Sequence, residues 1–209
     1  RTGQETTRVH IRTLSENVDE ALDLLAEATL RPAFLPVELG KLRRRELGRL
    51  KLRSREPRYL ARKALQAQLY GEHPYARVDT TEDALKRMKR GDLRNWHRRN
   101  FAPGNAFLVA VGDIDKEKLE AACNSAFRRW RGKTAKKSPY PTPPALSGRN
   151  VLIVDRPESV QSVIYMGRLA LKRSNSSYVP LLVANQVLGG SAASRLFMDL
   201  RERRSLTYG

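Results

Sequence analysis

The sequence holds one cysteine, Cys123, and three histidines, His10, His73 and His97, in 209 residues. A lone cysteine excludes an internal disulfide and any cysteine-based metal cluster. It leaves the compartment open, periplasmic or cytoplasmic. No run approaches the ~20 apolar residues of a membrane-spanning helix. The first residue is Arg1 rather than Met, and no basic-then-apolar leader follows. The expectation is either a removed leader or a start inside a longer parent chain. Aromatics make up 7% of the chain and are sparse near the basic runs, which gives no stacking platform for single strands. Acids are also few: 22 Asp and Glu stand against 40 Lys and Arg, a net charge of +18. Such an excess attracts phosphates, or is simply a solvated basic surface. With no recognisable binding module, the sequence argues against nucleic acid as the partner.

What is present reads as a packed protein, with 40% hydrophobic residues. Val9 and Ile11 alternate with Arg8, His10 and Arg12, the period-two pattern of a strand over 7–14. Asn17 stands three before Glu20, a capping-box spacing, ahead of an amphipathic helix over 18–30. Ala21, Leu22, Leu25, Ala28 and Thr29 form its apolar face, and Pro32 ends it. A second helix is expected over 36–54, with Leu39, Leu42 and Leu50 on one face and Glu46 between them. Pro57 opens a third, which Gly71 stops. Thr81 and Asp92 begin two shorter helices, the second holding Trp96. The apolar run 106–112 follows Pro103-Gly104-Asn105 and predicts a buried central strand. Asp115 caps a helix through Phe127. Residues 131–148, rich in Pro and Lys, predict an extended linker. Strands near 150–154 and 160–167 come next, then helices over 178–188 and 192–202, parted by Gly189-Gly190. This order favours an α+β fold in two units. Neither unit looks complete, because so few strands would leave open sheet edges.

The chemistry-bearing groups are scattered. No two histidines share a helix spacing, and no acid completes a cluster of three or four ligands for zinc. Gly189-Gly190-Ser191 lacks the Gly-Lys-Ser/Thr ending of a phosphate loop. Ser191, Ser194 and Ser205 have no histidine near them in sequence, so a serine triad has no support. Arg201 and Tyr208 stand seven residues apart near the end of the chain. An arginine can bind peptide carbonyls, and a phenol can donate to a developing oxyanion. A solvated helix end and a boundary tyrosine is the simpler account on residues alone.

Four segments nonetheless resemble a known family in order and spacing. They are the stretch from Leu14 through Glu27, Tyr70-Gly-Glu-His-Pro-Tyr, Thr81-Glu-Asp-Ala-Leu, and Phe101-Ala-Pro-Gly-Asn-Ala-Phe-Leu-Val-Ala-Val-Gly-Asp-Ile. They are similar to the first domain of insulinase/pitrilysin (inverzincin) zinc peptidases. Gln161-Ser-Val-Ile-Tyr-Met-Gly and the stretch from Val187 through Gly209 are similar to the start of the second. The resemblance implies two homologous sheet-plus-helix domains of the metallopeptidase-like (LuxS/mitochondrial processing peptidase-like) kind, both incomplete here. Residues 1–130 would belong to the first and 149–209 to the second, with 131–148 as the linker. The family's His-x-x-Glu-His zinc motif is absent from this sequence. Its third ligand, a glutamate, falls on Arg49 by ungapped comparison, where a cation would repel zinc; Glu46 is the nearest acid. The resemblance therefore implies a chain without its own zinc, inactive alone. It would serve as a zinc-less subunit, in a heterodimer with a zinc-bearing homologous subunit, or as part of an enzyme whose zinc half lies elsewhere. Arg201 and Tyr208 match the family's substrate- and oxyanion-binding pair, which implies a peptide substrate. A structural relative with no peptidase role is a further alternative, and a basic nucleic-acid-binding protein, which the charge alone would suggest, is the last.

Overall fold

The computed structural model describes residues 2–133 and 139–209. Thr134 to Ser138, part of the expected linker, lie outside the described residues. Packing divides the chain into a first unit, Arg1–Tyr165, and a second, Met166–Gly209.

Among the described residues, the first unit is built from six α-helices. They are α1 (Val18–Leu30), α2 (Pro36–Arg53), α3 (Pro57–Tyr70), α4 (Glu82–Arg87), α5 (Arg90–Asn100) and α6 (Lys116–Phe127). Several boundaries follow from local chemistry. Pro36 and Pro57 occupy first-turn positions, where the missing N–H costs nothing. Thr81 Oγ1 accepts from Ala84 N at 3.1 Å, and Asp115 Oδ1 accepts from Lys118 N at 2.8 Å, so both predicted caps are made. Asp92 accepts from Lys89 N at 2.7 Å, so α5 begins two residues before it, with Asp92 in its first turn. Asn17 caps nothing through its side chain; a single 3₁₀ turn, Ser15–Asn17, leads into α1 instead. Gly71 ends α3 at φ +55, and a Cβ there would meet Pro144 Cδ at 3.1 Å, so the position needs glycine on both counts.

The core is small. Among the described residues, Ala21, Leu22, Ala26, Tyr59, Leu85 and Ala102 are the buried apolar side chains. Thr29 is buried as expected, whereas Ala28 is exposed and Ala26 takes the inward position on α1. α1 packs on α6, and α2 on α4. Arg43 of α2 ties the second pair together, donating to Leu85 O at 3.0 Å and to Met88 O. Arg53 Nη1 pairs with Asp79 at 2.9 Å, and that hydrogen bond raises its pKa.

The second unit holds α7 (Tyr178–Asn185) and the single-turn α8 (Arg195–Phe197). Each continues into a π-helical turn, Gln186–Gly190 and Met198–Arg203. The last predicted helix thus starts three residues late and is wider than α-helical over its second half.

The α+β expectation is overturned. Among the described residues there is no sheet; an isolated antiparallel bridge between Thr2 and Thr7 is the extent of strand pairing. The apolar run 106–112 is neither helix nor strand, with Phe107 87%, Val109 72% and Val111 95% exposed. Segments 7–14, 150–154 and 160–167 are likewise unpaired, apart from Thr7 in that bridge. Alternation and apolar runs report which side chains avoid water in an extended chain. They do not supply the neighbouring strand whose N–H and C=O groups complete a ladder.

Candidate functional site

The two residues singled out for substrate binding lie in the second unit. Phe197 ends α8, and the π turn after it places Arg201 one turn on. The Arg201 guanidinium lies over the Phe197 ring at 4.8 Å from its centroid, a cation–π contact. Its Nε also sits 3.6 Å from Glu202 Oε1. Asp199 pairs with Arg204 at 3.2 Å, so both acids of the segment have basic partners. Sequence reasoning missed Phe197, although four-residue spacing along a helix is the signal that would have found it.

Beyond the turn the chain reverses. Ser205 takes φ +51, its N–H donates to Arg201 O at 3.0 Å, and Leu206 N–H donates to Leu200 O at 2.9 Å. This closure carries Tyr208 out into solvent, 89% exposed. Thr207 and Gly209 bond each other beside it. Arg201 and Tyr208 thus share one short reversed segment, with no hydrogen bond or ring contact between them among the described residues. The arrangement offers an anchored guanidinium and a free phenol, two donors suited to a polar backbone.

Three of the groups weighed for zinc, Glu46, His73 and His97, are engaged elsewhere. Glu46, half-buried on α2, receives Arg49 Nη1 at 3.0 and 3.1 Å on its two oxygens and has Arg45 Nε at 3.7 Å. The His73 Nδ1 accepts from Tyr75 N at 3.1 Å, and its ring sits among Tyr70, Tyr75 and Tyr140. The His97 Nε2 lies 2.7 Å from Thr29 O, with its ring stacked on Phe101 at 4.6 Å. Among the described residues, no three His, Cys, Asp or Glu side chains group around one point. These residues do not fit a zinc ion. Nor is any described helix long and apolar enough to cross a membrane.

Residues 87–209 match the family described as the peptidase M16 inactive domain. An uncharacterized zinc protease of Mycobacterium leprae is 28% identical over 99% of this chain and 47% of its own length. A non-peptidase homolog from Helicobacter pylori is 25% identical over 99% of this chain and 48% of its own length. The chain spans about half the length of these curated relatives. A crystal structure of a peptidase M16 inactive domain from Pseudomonas fluorescens superposes with a TM-score of 0.75 at 24% identity. That likeness covers 93% of this chain and 47% of the other, and it concerns the fold. The chain belongs to the peptidase M16 inactive-domain family, within the zinc-protease group to which its sequence pointed.

Proposed function

We propose that this chain is the substrate-clamping, non-catalytic portion of a zinc metalloendopeptidase that acts on peptides. Hydrolysis takes place on a zinc-bearing homologous subunit or domain; this chain contributes Arg201 and Tyr208. In this reading residues 1–130 and 149–209 are parts of two peptidase-like domains joined through 131–148. The observation that carries the proposal is the placement of Arg201 and Tyr208 on one reversed segment within the family match. Arg201 is steadied by Phe197 and presents N–H groups to substrate carbonyls. Tyr208 donates its hydroxyl to the oxygen on which negative charge grows as the peptide bond is attacked, and loss of one such donor costs on the order of 100-fold in turnover.

The test is Tyr208→Phe in the assembled, active complex with a neutral peptide, which keeps the chain's positive charge from biasing binding. Turnover should fall by about 100-fold while assembly is unchanged. Arg201→Ala should weaken peptide binding as well. Parent-level turnover in Tyr208→Phe would sink the assigned role. The Helicobacter relative's designation as a non-peptidase homolog favours a second reading, a structural relative with no part in hydrolysis. Unchanged turnover in both variants is the outcome that reading requires.

A further inference from the structure

The C-terminal ends of α5 and α6 meet around Phe101 and Ala102. Trp130 Nε1 donates to Phe101 O at 3.3 Å, and a Cβ on Gly132 would lie 3.3 Å from that of Ala102, which is 1% exposed. Two chain segments far apart in sequence are thereby brought together. Neither contains an acid: there is no Asp or Glu from Leu93 to Gly112, nor from Ala121 to Lys133. Together they carry Arg94, Arg98, Arg99, Arg128, Arg129, Arg131 and Lys133.

Some of this charge serves the helices. Cations in a last turn complement the helix dipole, and Arg131 donates to Arg128 O at 2.6 Å and to Trp130 O at 3.1 Å. Arg98 is held by Asn95 Oδ1 at 3.1 Å. Arg94, Arg99, Arg128 and Arg129 form no side-chain hydrogen bond or ion pair among the described residues, and all four are exposed. The carboxylates on the facing helix, Asp19 and Asp23 of α1, line a groove with α6 alongside Lys118, Ala122 and Ser125, and pair with none of these arginines.

An aromatic surface accompanies the charge. Trp96 is 51% exposed and stands edge-on to Phe101, ring centroids 5.8 Å apart. Its backbone carbonyl accepts from Asn100 Nδ2 at 2.7 Å, which fixes this last turn. In sequence Trp96 is flanked by Arg94, Arg98 and Arg99, and Trp130 by Arg128, Arg129 and Arg131. The fold joins these two segments through Trp130 and Phe101 and leaves the Trp96 indole exposed.

We infer that this Arg/Trp patch at the joined ends of α5 and α6 binds single-stranded nucleic acid, with guanidinium groups on the phosphates and the Trp96 indole stacked on a base. Planar guanidinium groups also suit carboxylates. The half-exposed indole favours a ligand with π-faces over an acidic peptide, because base–aromatic stacking accepts any base. The inference stands independently of the peptidase reading and lies within the first unit.

The experiment is fluorescence anisotropy of the whole chain with labelled oligothymidylate of about twelve nucleotides, within the span of known single-strand sites. A variant with Arg98→Gln, Arg99→Gln, Arg128→Gln and Arg129→Gln should bind at least about ten-fold more weakly. A control losing equal charge elsewhere, Arg44→Gln, Arg58→Gln, Arg62→Gln and Lys63→Gln, should change affinity less than about two-fold. Trp96→Ala should weaken binding about five-fold or more, with Trp96→Phe restoring most of it. Affinity should fall with salt at a log–log slope of about −2 to −3, as expected for three or four neutralised phosphates. Equal losses in the two four-fold variants would show diffuse charge and overturn the site. Displacement by oligoglutamate of matched length as readily as by unlabelled oligothymidylate would assign the patch to acidic peptides and overturn the ligand.

Discussion

Cys123 and the Glu46–Arg49 pair show how much a single residue's surroundings decide. Cys123 lies half-buried on α6, and burial pushes its thiol pKa up. A raised pKa lowers the thiolate fraction at any pH near neutrality, and the thiolate is the reactive form. Alkylation of Cys123 by iodoacetamide at pH 8 should therefore run slower than that of an unstructured cysteine peptide, and should equal it once the chain is denatured. A native rate matching the peptide's would contradict the buried environment. For Glu46, the sequence placed Arg49 three residues away, and helical spacing alone makes the two neighbours. Their pairing was therefore legible before any coordinates. The engagement of His97 with Thr29 O was not, because it joins residues 68 positions apart through tertiary packing.

At the scale of elements, the helices were read well because their signals are local. Caps, first-turn prolines and the terminal Gly71 act within a few residues, and α1, α2, α3 and α6 fall within about two residues of their expected limits. The strands failed because their decisive partner is never local. The π turns at 186–190 and 198–203 were invisible for a related reason: an apolar period near 3.6 does not distinguish α from a slightly wider winding. The caps also separate a spacing from an interaction. Asp115→Ala removes a side-chain acceptor that satisfies Lys118 N, and should lower stability by about 1 kcal/mol in denaturant titration. Asn17→Ala removes no such bond and should cost distinctly less, despite the better-looking capping-box sequence. Equal losses at the two positions would mean that the Asn17 side chain caps α1 in solution.

At the scale of the whole molecule, the two units differ in what holds them. All six buried apolar side chains among the described residues, from Ala21 to Ala102, belong to the first unit. In the second, the fully buried side chain is Ser194, whose hydroxyl has no hydrogen-bond partner among the described residues, while Met166 is 88%, Val183 60% and Leu206 70% exposed. Burial of apolar area is the main favourable term in folding, at about 25 cal/mol per Å². Helices without it rest on propensity and backbone hydrogen bonds, which leave short helices marginal in water. α7 has eight residues and α8 three, so neither has the length to stand by itself. Regions with few buried contacts open locally at little cost, while packed elements open only near the global limit. Hydrogen exchange on the isolated chain should therefore find α7 and α8 exchanging at close to unstructured rates, and α1 protected by Ala21, Leu22 and Ala26. In an assembly that covers the second unit, α7 and α8 should gain protection while α1 changes little. If α7 in the isolated chain were as protected as α1, the second unit would have a source of stability other than apolar burial, and the contrast drawn between the units would fail.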